Sequence, residues 1–484
     1  MTTPALADII FPEQANHNFS RILGGLRRSN LSITNRLRSI CQDAAFVDDV
    51  AAALKLPLVA NERCGSWYID PARKAASAYF KSTDGHTGQW KFSTRRLNLH
   101  LLELIGKHDG CIIIDSTRRG KRMPDALSKT VPIWCSVLNR ALFPEDPSSH
   151  RLFVPPNVVS PSEASQIEAR LPDFVASFLA LAIDPQPLRR QLGDRPLRPL
   201  WITQEDHLDF LDHYYSSISA AAGRSKPFPF HPVVCCTSSK RVLGVGAEIG
   251  EAGGYIQGAG DDTENWALGL TAEVFWRHKE ELLAASEAEL PELITQLVAA
   301  GSNADPGGKE AAGRELKRVA PGIFIGTLGA RERALSDSAG PCVVTLVPRS
   351  TEQSSWVKSP THMEVGLGKN KAASRLLRDA LPQICGFVSR FLEKRLGNGA
   401  GISLEKSVIV LCESGKDLSV GVALALYCWC FDAAGNARSV DDRASFNKTA
   451  IRVKLGHIMT EMPNANPSRA TLQSVNSFLM DWRK

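Results

Sequence analysis

The sequence lacks any apolar run long enough to cross a membrane. Its longest apolar stretch, residues 420–431, falls well short of the ~18–20 residues that a spanning helix needs. The opening residues, MTTPALADIIFPEQ, contain no basic segment followed by an apolar one, and they do not resemble a secretory signal. Internal repeats are missing as well. The lack of a membrane-spanning run and of a secretory signal predicts a cytoplasmic protein.

Paired cysteine knuckles are also missing. The eleven cysteines are scattered, and no two CxxC pairs occur that would predict a structural zinc site. Buried free thiols in a reducing compartment are the simpler expectation. Charge of either sign is only weakly in excess, because 57 Lys and Arg against 51 Asp and Glu leave a net charge of +6. That balance is compatible with a polyanionic partner and does not by itself indicate one.

The chain is long enough for two or three globular domains, with 484 residues of which 43% are hydrophobic. Periodicity disappears in AAGSNADPGGKEAAG, residues 299–313, which is typical of a linker. We predict an N-terminal domain over residues 1–298, a linker over 299–314 and a C-terminal domain over 315–484. The fold class is α/β, because helical patterns such as 14–56 are combined with apolar, β-branched strand patterns at 111–114 and 233–236.

The C-terminal domain contains an apolar strand, SVIVL, a polar loop over residues 412–419 and an apolar helix over 420–431. A strand, a loop of small residues and a helix N-terminus together form an anion cradle, since the loop N–H groups point inward. Alternatively, the loop only serves the folding of the domain. The loop residues that we expect to hold a phosphate are Cys412, Glu413, Ser414, Gly415, Lys416, Asp417 and Ser419.

This stretch resembles the phosphate-binding loop of dual-specificity phosphatases. Residues 319–326 resemble the opening strand of that family, and residues 372–396 resemble its preceding helix. The resemblance therefore predicts a central sheet flanked by helices. The family's arginine, six positions after the cysteine, is replaced by Leu418, and its histidine before the cysteine is replaced by Leu411. Because the arginine clamps the transferred phosphoryl group, we expect phosphate binding through Lys416 without hydrolysis.

Three polar segments stand out in the N-terminal domain. The first, YFKSTDGHTGQW (79–90), places hydroxyls, a cation, a carboxylate and an imidazole between aromatic residues. This combination favours phosphate or ribose contacts, and the alternative is a solvated turn with local hydrogen bonds. Its candidate residues are Lys81, Ser82, Thr83, Asp84 and His86.

The second segment, DSTRRGKR (115–122), begins where an apolar strand ends, and ligands of α/β sheets bind at such ends. Four cations among eight residues suit a polyphosphate or an RNA backbone, although a solvated basic turn is the alternative. Its candidate residues, with one downstream lysine, are Asp115, Ser116, Thr117, Arg118, Arg119, Lys121 and Lys129.

The third segment, QGAGDDTENW (257–266), begins with Gln257 and groups Asp261, Asp262 and Glu264 after a glycine-rich turn. Carboxylate oxygens of this kind suit Mg²⁺, which shares its coordination shell with substrate phosphates and waters. The alternative is that Asp261 or Asp262 caps the N-terminus of a helix beginning at Asn265.

The three segments, together with CESGKD, resemble the initiator tRNA phosphoribosyltransferases (tRNA 2′-O-ribosyl phosphate transferases). That family also joins such a domain to a phosphatase-like one, and the resemblance covers essentially the whole chain. It implies phosphoribosyl pyrophosphate as donor, Mg²⁺ as metal, and initiator methionine tRNA as acceptor at the ribose 2′-hydroxyl of a T-stem purine. The modification keeps the initiator out of elongation.

Roles follow from this resemblance as hypotheses. A carboxylate or histidine takes the proton of the 2′-hydroxyl, and the candidates are Asp115, Asp84 and His86. Asp261 and Asp262 hold Mg²⁺, and the remaining candidates bind donor or tRNA phosphates. The usual phosphoribosyltransferase signature, two acids before a threonine-rich loop, is missing. Two other functions stay open: a phosphatase with an adaptor N-domain, and a tRNA-binding protein without catalysis. We expect no membrane association and no obligate protein partner.

Overall fold

Two compact units make up the chain in the computed structural model. Unit 1 contains residues 1–92, 101–172 and 186–303, and unit 2 contains residues 93–100, 173–185 and 304–484. The residues that the structure describes are 32–83, 88–206, 228–242, 254–303, 316–331, 334, 340–368, 370–396, 407–432, 446–462 and 464–481. Within them, no helix combines the length and the apolarity of a membrane span.

Unit 1 is built on a five-stranded sheet in which every pair of neighbours is parallel. Its strands are β1 (Leu58–Asn61), β2 (Lys74–Ala78), β3 (Cys111–Asp115), β4 (Leu197–Thr203) and β5 (His231–Thr237), in the order β2-β1-β3-β5-β4. Strands β3 and β5 are buried along their whole length, as the apolar runs predicted.

Nine α-helices precede residue 304 in the described part of the chain, and all of them except α5, which lies mostly in unit 2, belong largely to unit 1. They are α1 (Ile33–Leu54), α2 (His100–His108), α3 (Val131–Leu142), α4 (Pro161–Glu168), α5 (Leu171–Leu179), α6 (Pro185–Leu192), α7 (Ala272–Arg277), α8 (Lys279–Ala284) and α9 (Leu290–Asn303). The hydroxyl of Ser32 caps α1 by accepting from the backbone N–H of Asn35. The helix predicted over 14–56 therefore begins at Ile33 among the described residues, and residues 1–31 lie outside them.

Unit 2 contains a six-stranded sheet with the order β6-β7-β11-β8-β10-β9. The four central strands are parallel and the two edge strands are antiparallel. The strands are β6 (Lys317–Ala320), β7 (Ile323–Thr327), β8 (Cys342–Val347), β9 (Val357–Ser359), β10 (His362–Gly366) and β11 (Val408–Cys412). Four long helices pack with it, namely α10 (Asn370–Leu396), α11 (Leu418–Cys430), α12 (Lys448–Glu461) and α13 (Arg469–Asp481).

The predicted α/β class is confirmed, with a central sheet and flanking helices in the phosphatase-like unit. One local prediction is wrong: residues 319–326 form the end of β6, a turn and β7 rather than a single strand. Gly322 takes φ +68° at this turn, a conformation that glycine adopts without steric cost. The helix α9 extends into the predicted linker and ends at Asn303. Residues 304–315 lie outside the residues that the structure describes.

Candidate functional site

The described polar segments of unit 1 meet at one edge of its sheet. After β1 the chain crosses to β2 on one side, and it then returns to β3 on the other side of β1. The carboxyl ends of β1 and β3 therefore flank a topological switch point, where open α/β sheets bind their ligands. Asn61 ends β1 and Asp115 ends β3. The prediction that the basic segment begins at a strand end is confirmed.

Asp115 is the anchor of this edge. Its carboxylate is fully buried and accepts hydrogen bonds from Asn61 Nδ2 at 2.8 Å, from Cys64 Sγ at 3.0 Å and from the N–H of Ser116 at 2.8 Å. Arg63 adds an ion pair to Oδ1 at 3.1 Å. These donors enclose the carboxylate, and the predicted role of Asp115 as the proton acceptor stays a prediction.

Arg63 connects Asp115 with the acidic segment. Its guanidinium pairs with Asp115 and also with Asp261, and it donates to the carbonyl of Ser116. Burial acts to lower the pKa of Arg63, but Cys64 and the two carboxylates outweigh it, and the pKa is raised above its ordinary value. Arg63 therefore stays charged at the centre of the site.

Asp261 and Asp262 complete what we call the switch-point cluster, which consists of Arg63, Asp115, Arg118, Asp261 and Asp262. Arg118 Nε lies 3.4 Å from Asp261, and its Nη1 lies 2.7 Å from Asp262. Burial raises the pKa of Asp261 to about 6, although Arg63 and Arg118 oppose the shift. Two cations and three carboxylates thus share one largely buried edge.

The helix expected at Asn265 is wrong. Asp261 ends one 3₁₀ turn and Asp262 precedes a second, Thr263–Asn265, with no capping hydrogen bond from its side chain. The next α-helix, α7, begins only at Ala272. Both aspartates bind arginines instead, and the helix-capping alternative for this segment is excluded.

Gln257 and Gly258 hold the acidic segment against the basic loop, residues 115–122. The amide of Gln257 accepts from the N–H of Gly120 at 3.0 Å and donates to the carbonyl of Lys121 at 2.8 Å. Gly258 has φ +68°, and a Cβ there would lie 2.4 Å from the carbonyl oxygen of Thr117. Only glycine fits this approach. Gln257 is engaged with backbone in this structure, and its contact with substrate stays a prediction.

The first predicted segment reaches the same edge. Asn61 exchanges two hydrogen bonds with the backbone of Phe80, and the hydroxyl of Thr130 donates to the carbonyl of Lys81 at 2.8 Å. Thr83 donates to Asp125 at 3.1 Å. Residues 80–83 are thereby placed beside the strand ends. Asp84 and His86 lie outside the described residues.

Lys129 lies apart from the switch-point cluster. Its ammonium pairs with Glu163 at 2.8 Å and with Asp125 at 3.4 Å. Burial opposes its charge, yet the two carboxylates raise the pKa of Lys129 above its ordinary value. The lysine ties the π-helical turn Ala126–Thr130 to α4.

The carboxylates of the switch-point cluster are the candidate metal ligands. No group of three or more His, Cys, Asp and Glu side chains with metal-site geometry occurs among the residues that the structure describes. Asp261 and Asp262 still fit Mg²⁺ in kind and number, because this ion binds through one or two carboxylates when phosphates and waters supply its other ligands.

The Cys412 loop, residues 412–419, follows β11 in the middle of the second sheet. Cys412 Sγ accepts from the N–H of Gly415 at 3.2 Å and lies 3.1 Å from Ser419 Oγ. Gly415 takes φ +64°. Leu418 begins α11 and lines the adjoining cavity where the phosphatase arginine would stand. The predicted strand, loop and helix are confirmed around Cys412, and the loop itself supplies no arginine. Anion binding by this loop stays a prediction.

Several residues of these sites escaped the sequence analysis. Asn61 ends β1, and Arg63 and Cys64 follow it just as the basic loop follows β3; the apolar run before NERCG was the signal available. Arg95 and Arg96, which precede the basic loop in the sequence, contact the carbonyls of Pro467 and Ala465 in unit 2, at 3.2 Å each.

Two family models match the chain. The model described as the Rit1 N-terminal domain matches residues 26–299, and the Rit1 DUSP-like domain model matches residues 361–479. A relative from Saccharomyces cerevisiae, tRNA A64-2′-O-ribosylphosphate transferase, is 33% identical over 97% of this chain and 96% of its own length. The chain belongs to the Rit1 family.

Another relative is an uncharacterized protein of Schizosaccharomyces pombe, 36% identical over 92% of this chain and 94% of its own. Among solved structures, human DUSP28 is 18% identical, with a TM-score of 0.24, over 35% of this chain and 95% of its own. The human tyrosine phosphatase-like serine/threonine/tyrosine-interacting protein is 13% identical, with a TM-score of 0.24, over 35% and 99%. The resemblance to the transferase family stated from the motifs is confirmed by the family models.

Proposed function

We propose that this protein transfers a ribosyl phosphate group to a ribose 2′-hydroxyl of tRNA, the activity that the name of its yeast relative describes. One observation carries the proposal at the level of residues. The switch-point cluster places Arg63 and Arg118 among three carboxylates at the carboxyl ends of β1 and β3. Such a cluster offers cations for phosphate oxygens and acids for a metal or a proton.

Phosphoribosyl pyrophosphate is the proposed donor, and a T-stem purine of initiator methionine tRNA is the proposed acceptor. The bond between ribose C1 and the pyrophosphate oxygen breaks, and a bond from C1 to the tRNA O2′ forms. Pyrophosphate leaves with the electron pair, and the 2′-hydroxyl proton passes to a base. Negative charge grows on the leaving oxygen, where preorganised cations stabilise the transition state most. Arg118 is the best placed for this role because it is about a third exposed.

Mg²⁺ is the proposed metal, with Asp261 and Asp262 as its protein ligands. When bound, the ion would neutralise the diphosphate of the donor and polarise its leaving oxygen. The residues of the chain have separate tasks. Arg63 holds Asp261 in place, and Arg118 bridges the two aspartates. Asp262→Asn should raise the Mg²⁺ concentration needed for half-maximal donor binding, measured by titration calorimetry.

The proton acceptor is proposed to lie in the first segment. Asp84 and His86 follow Thr83, whose segment is held beside the strand ends. Asp115 serves as the anchor of the cluster in this assignment. A pH–rate profile in which Asp84→Asn or His86→Gln removes one limb would identify the acceptor.

A phosphatase function lacks support from the loop. Leu418 replaces the arginine, and Asp417 accepts from the N–H of Ser468 at 2.8 Å and from Thr471 Oγ1 at 2.6 Å. That carboxylate is therefore used in fixing the loop.

The expected cytoplasmic location stays a prediction.

The decisive experiment uses unmodified initiator tRNA, Mg²⁺ and donor labelled separately in the ribose and in the 5′-phosphate. Both labels should reach the RNA with one pyrophosphate released for each, and alkaline phosphatase should then remove only the phosphate label. Arg118→Met should slow transfer by about 100-fold, the effect of losing one transition-state donor. Arg170→Met, at an exposed arginine of the same unit, is the matched control. RNA that gains neither label would refute the proposal.

A further inference from the structure

A large cavity adjoins the Cys412 loop within unit 2. Its volume is about 1120 Å³, above the ~300–1,000 Å³ usual for pockets of small ligands. The loop forms one wall, and the ends of β8 and β10, the start of α10 and the start of α13 form the others. A single phosphate ion would leave most of this space unfilled, so the cavity has room for a larger ligand.

Hydrogen bonds fix the loop to the chain before α13. Asp417 binds the N–H of Ser468 and the hydroxyl of Thr471, and the N–H of Asn466 donates to the carbonyl of Lys416 at 2.8 Å. These contacts place Arg469, the first residue of α13, on the cavity wall. The position of this arginine is therefore coupled to the shape of the loop.

Arg375 supplies a second cation from the first turns of α10, which pack against the start of α13 through a 3.2 Å contact between the hydroxyls of Ser374 and Thr471. It lies on α10 two residues after Ala373, which is buried in the core. Arg375 and Arg469 are both exposed, and neither pairs with a carboxylate in the described part of the chain. Arginines without carboxylate partners, facing a shared cavity, are suited to phosphate oxygens, which a guanidinium binds bidentately.

Among the described residues of the lining, the thiol of Cys412 is present but the loop arginine that clamps a phosphoryl group is missing. Leu418 occupies the position of the loop arginine, and Asp417 is consumed by its two hydrogen bonds. Glu413 is exposed on the lining and is the other carboxylate among the described residues around the cavity. The cavity can hold an anion beside Arg375 and Arg469, and without the loop arginine we expect no hydrolysis of its ester bonds.

We infer that this cavity binds the phosphate backbone of the tRNA substrate, with Arg375 and Arg469 replacing the missing loop arginine. The inference rests on the proposed function, which makes a tRNA the acceptor. A volume larger than a small-ligand pocket and two cations on the starts of two neighbouring helices suit a run of backbone phosphates better than a free ion. The unit that resembles a phosphatase then serves as a tRNA-binding module.

The test measures tRNA binding by the full chain between 50 and 200 mM salt, in conditions without donor. Arg375→Gln and Arg469→Gln should each weaken binding and reduce the slope of log affinity against log salt by about 1, the share of one lost phosphate contact. Arg378→Gln is the matched control, since Arg378 is exposed on the same helix and lies outside the cavity lining. Circular dichroism and the unfolding midpoint should stay unchanged in all three variants.

Three outcomes would overturn the inference. In the first, Arg375→Gln and Arg469→Gln have the same tRNA affinity and salt slope as the control. In the second, they weaken the binding of phosphoribosyl pyrophosphate and leave tRNA binding unchanged. In the third, the wild type hydrolyses an aryl phosphate in a reaction that Cys412→Ser abolishes. Failure of the proposed function gives a different signature, because the wild type would then bind tRNA without transferring label.

Discussion

Replacing Arg63 with Met tests whether the switch-point cluster is held together as described. Arg63 is the cation that joins two carboxylates from distant parts of the chain, Asp115 and Asp261. Its side chain is 19% exposed, and that of Asp115 is 0% exposed. Methionine keeps much of the side-chain volume and removes the charge, so the variant isolates the electrostatic contribution.

The expected cost follows from the burial of Asp115. Removing one partner of a buried ion pair costs about 3–5 kcal/mol, because the other charge is left uncompensated. Asp115 keeps hydrogen bonds from Asn61, Cys64 and the Ser116 N–H, so we expect the lower end. A loss of about 3 kcal/mol corresponds to roughly a 100-fold change in the folding equilibrium, at about 1.4 kcal/mol for each factor of ten.

Urea unfolding followed by tryptophan fluorescence provides the assay. Six of the nine tryptophans lie in unit 1, among them Trp67 and Trp266 with ring centroids 5.6 Å apart, so the change in emission reports mainly that unit. The matched control is Arg73→Met, because Arg73 pairs with Asp48 at the surface with both side chains more than 40% exposed. Exposed pairs contribute about 0.2–1 kcal/mol.

A double-mutant cycle separates the pair from its surroundings. Asp115→Asn in the Arg63→Met background should recover part of the lost stability, since the uncompensated charge is gone. If Arg63→Met destabilises no more than Arg73→Met, the cluster is not held by Arg63 and the account of the site given above is refuted.

Two further predictions concern unit 1. Burial raises the pKa of Asp43 well above its ordinary value, with hydrogen bonds from Tyr255 and Gln204 opposing the shift. Its stabilising contribution is therefore complete below the unfolded pKa of about 3.9 and is lost as pH rises through the folded pKa. Between the unfolded and the folded pKa, the wild type should therefore lose up to about 1.4 kcal/mol of stability per pH unit relative to Asp43→Asn. Urea unfolding of both proteins from pH 5 to 8 measures this difference, and a difference that does not change with pH would contradict the prediction. Gly258→Ala should lower the free energy of unfolding by about 2 kcal/mol more than Gly193→Ala does, which is the size of a buried steric clash. Both glycines have positive φ, and only Gly258 faces a backbone oxygen. Equal losses of stability in thermal unfolding would contradict the close packing of Gly258 against Thr117.

Much of the fold follows from local patterns that the sequence displays. The apolar, β-branched run at Cys111–Asp115 forms a strand because such residues pack on both faces of a parallel sheet. The apolar run after the Cys412 loop forms α11, which is buried along almost its whole length. The α/β class, the strand–loop–helix around Cys412 and the placement of the basic loop at a strand end were all accessible from these patterns.

Which residues make up the site depends on the tertiary structure. Arg63, Asp115 and Asp261 are far apart in the sequence, and they meet only because β1 and β3 are neighbours and Gly258 lets the acidic segment approach Thr117. Residues with an ambiguous local pattern, such as Asp262 before Thr263–Asn265, took their conformation from arginine partners rather than from a helix.

The sequence by itself determined which residue types stand at the strand ends and in the Cys412 loop. Only the tertiary structure decided which of them share a site, because a buried charge is stable only next to its partner and those partners come from other strands. Arg375 and Arg469 depend on tertiary structure for another reason: nothing in their local sequence marks them, and the cavity that they share exists only in the folded unit.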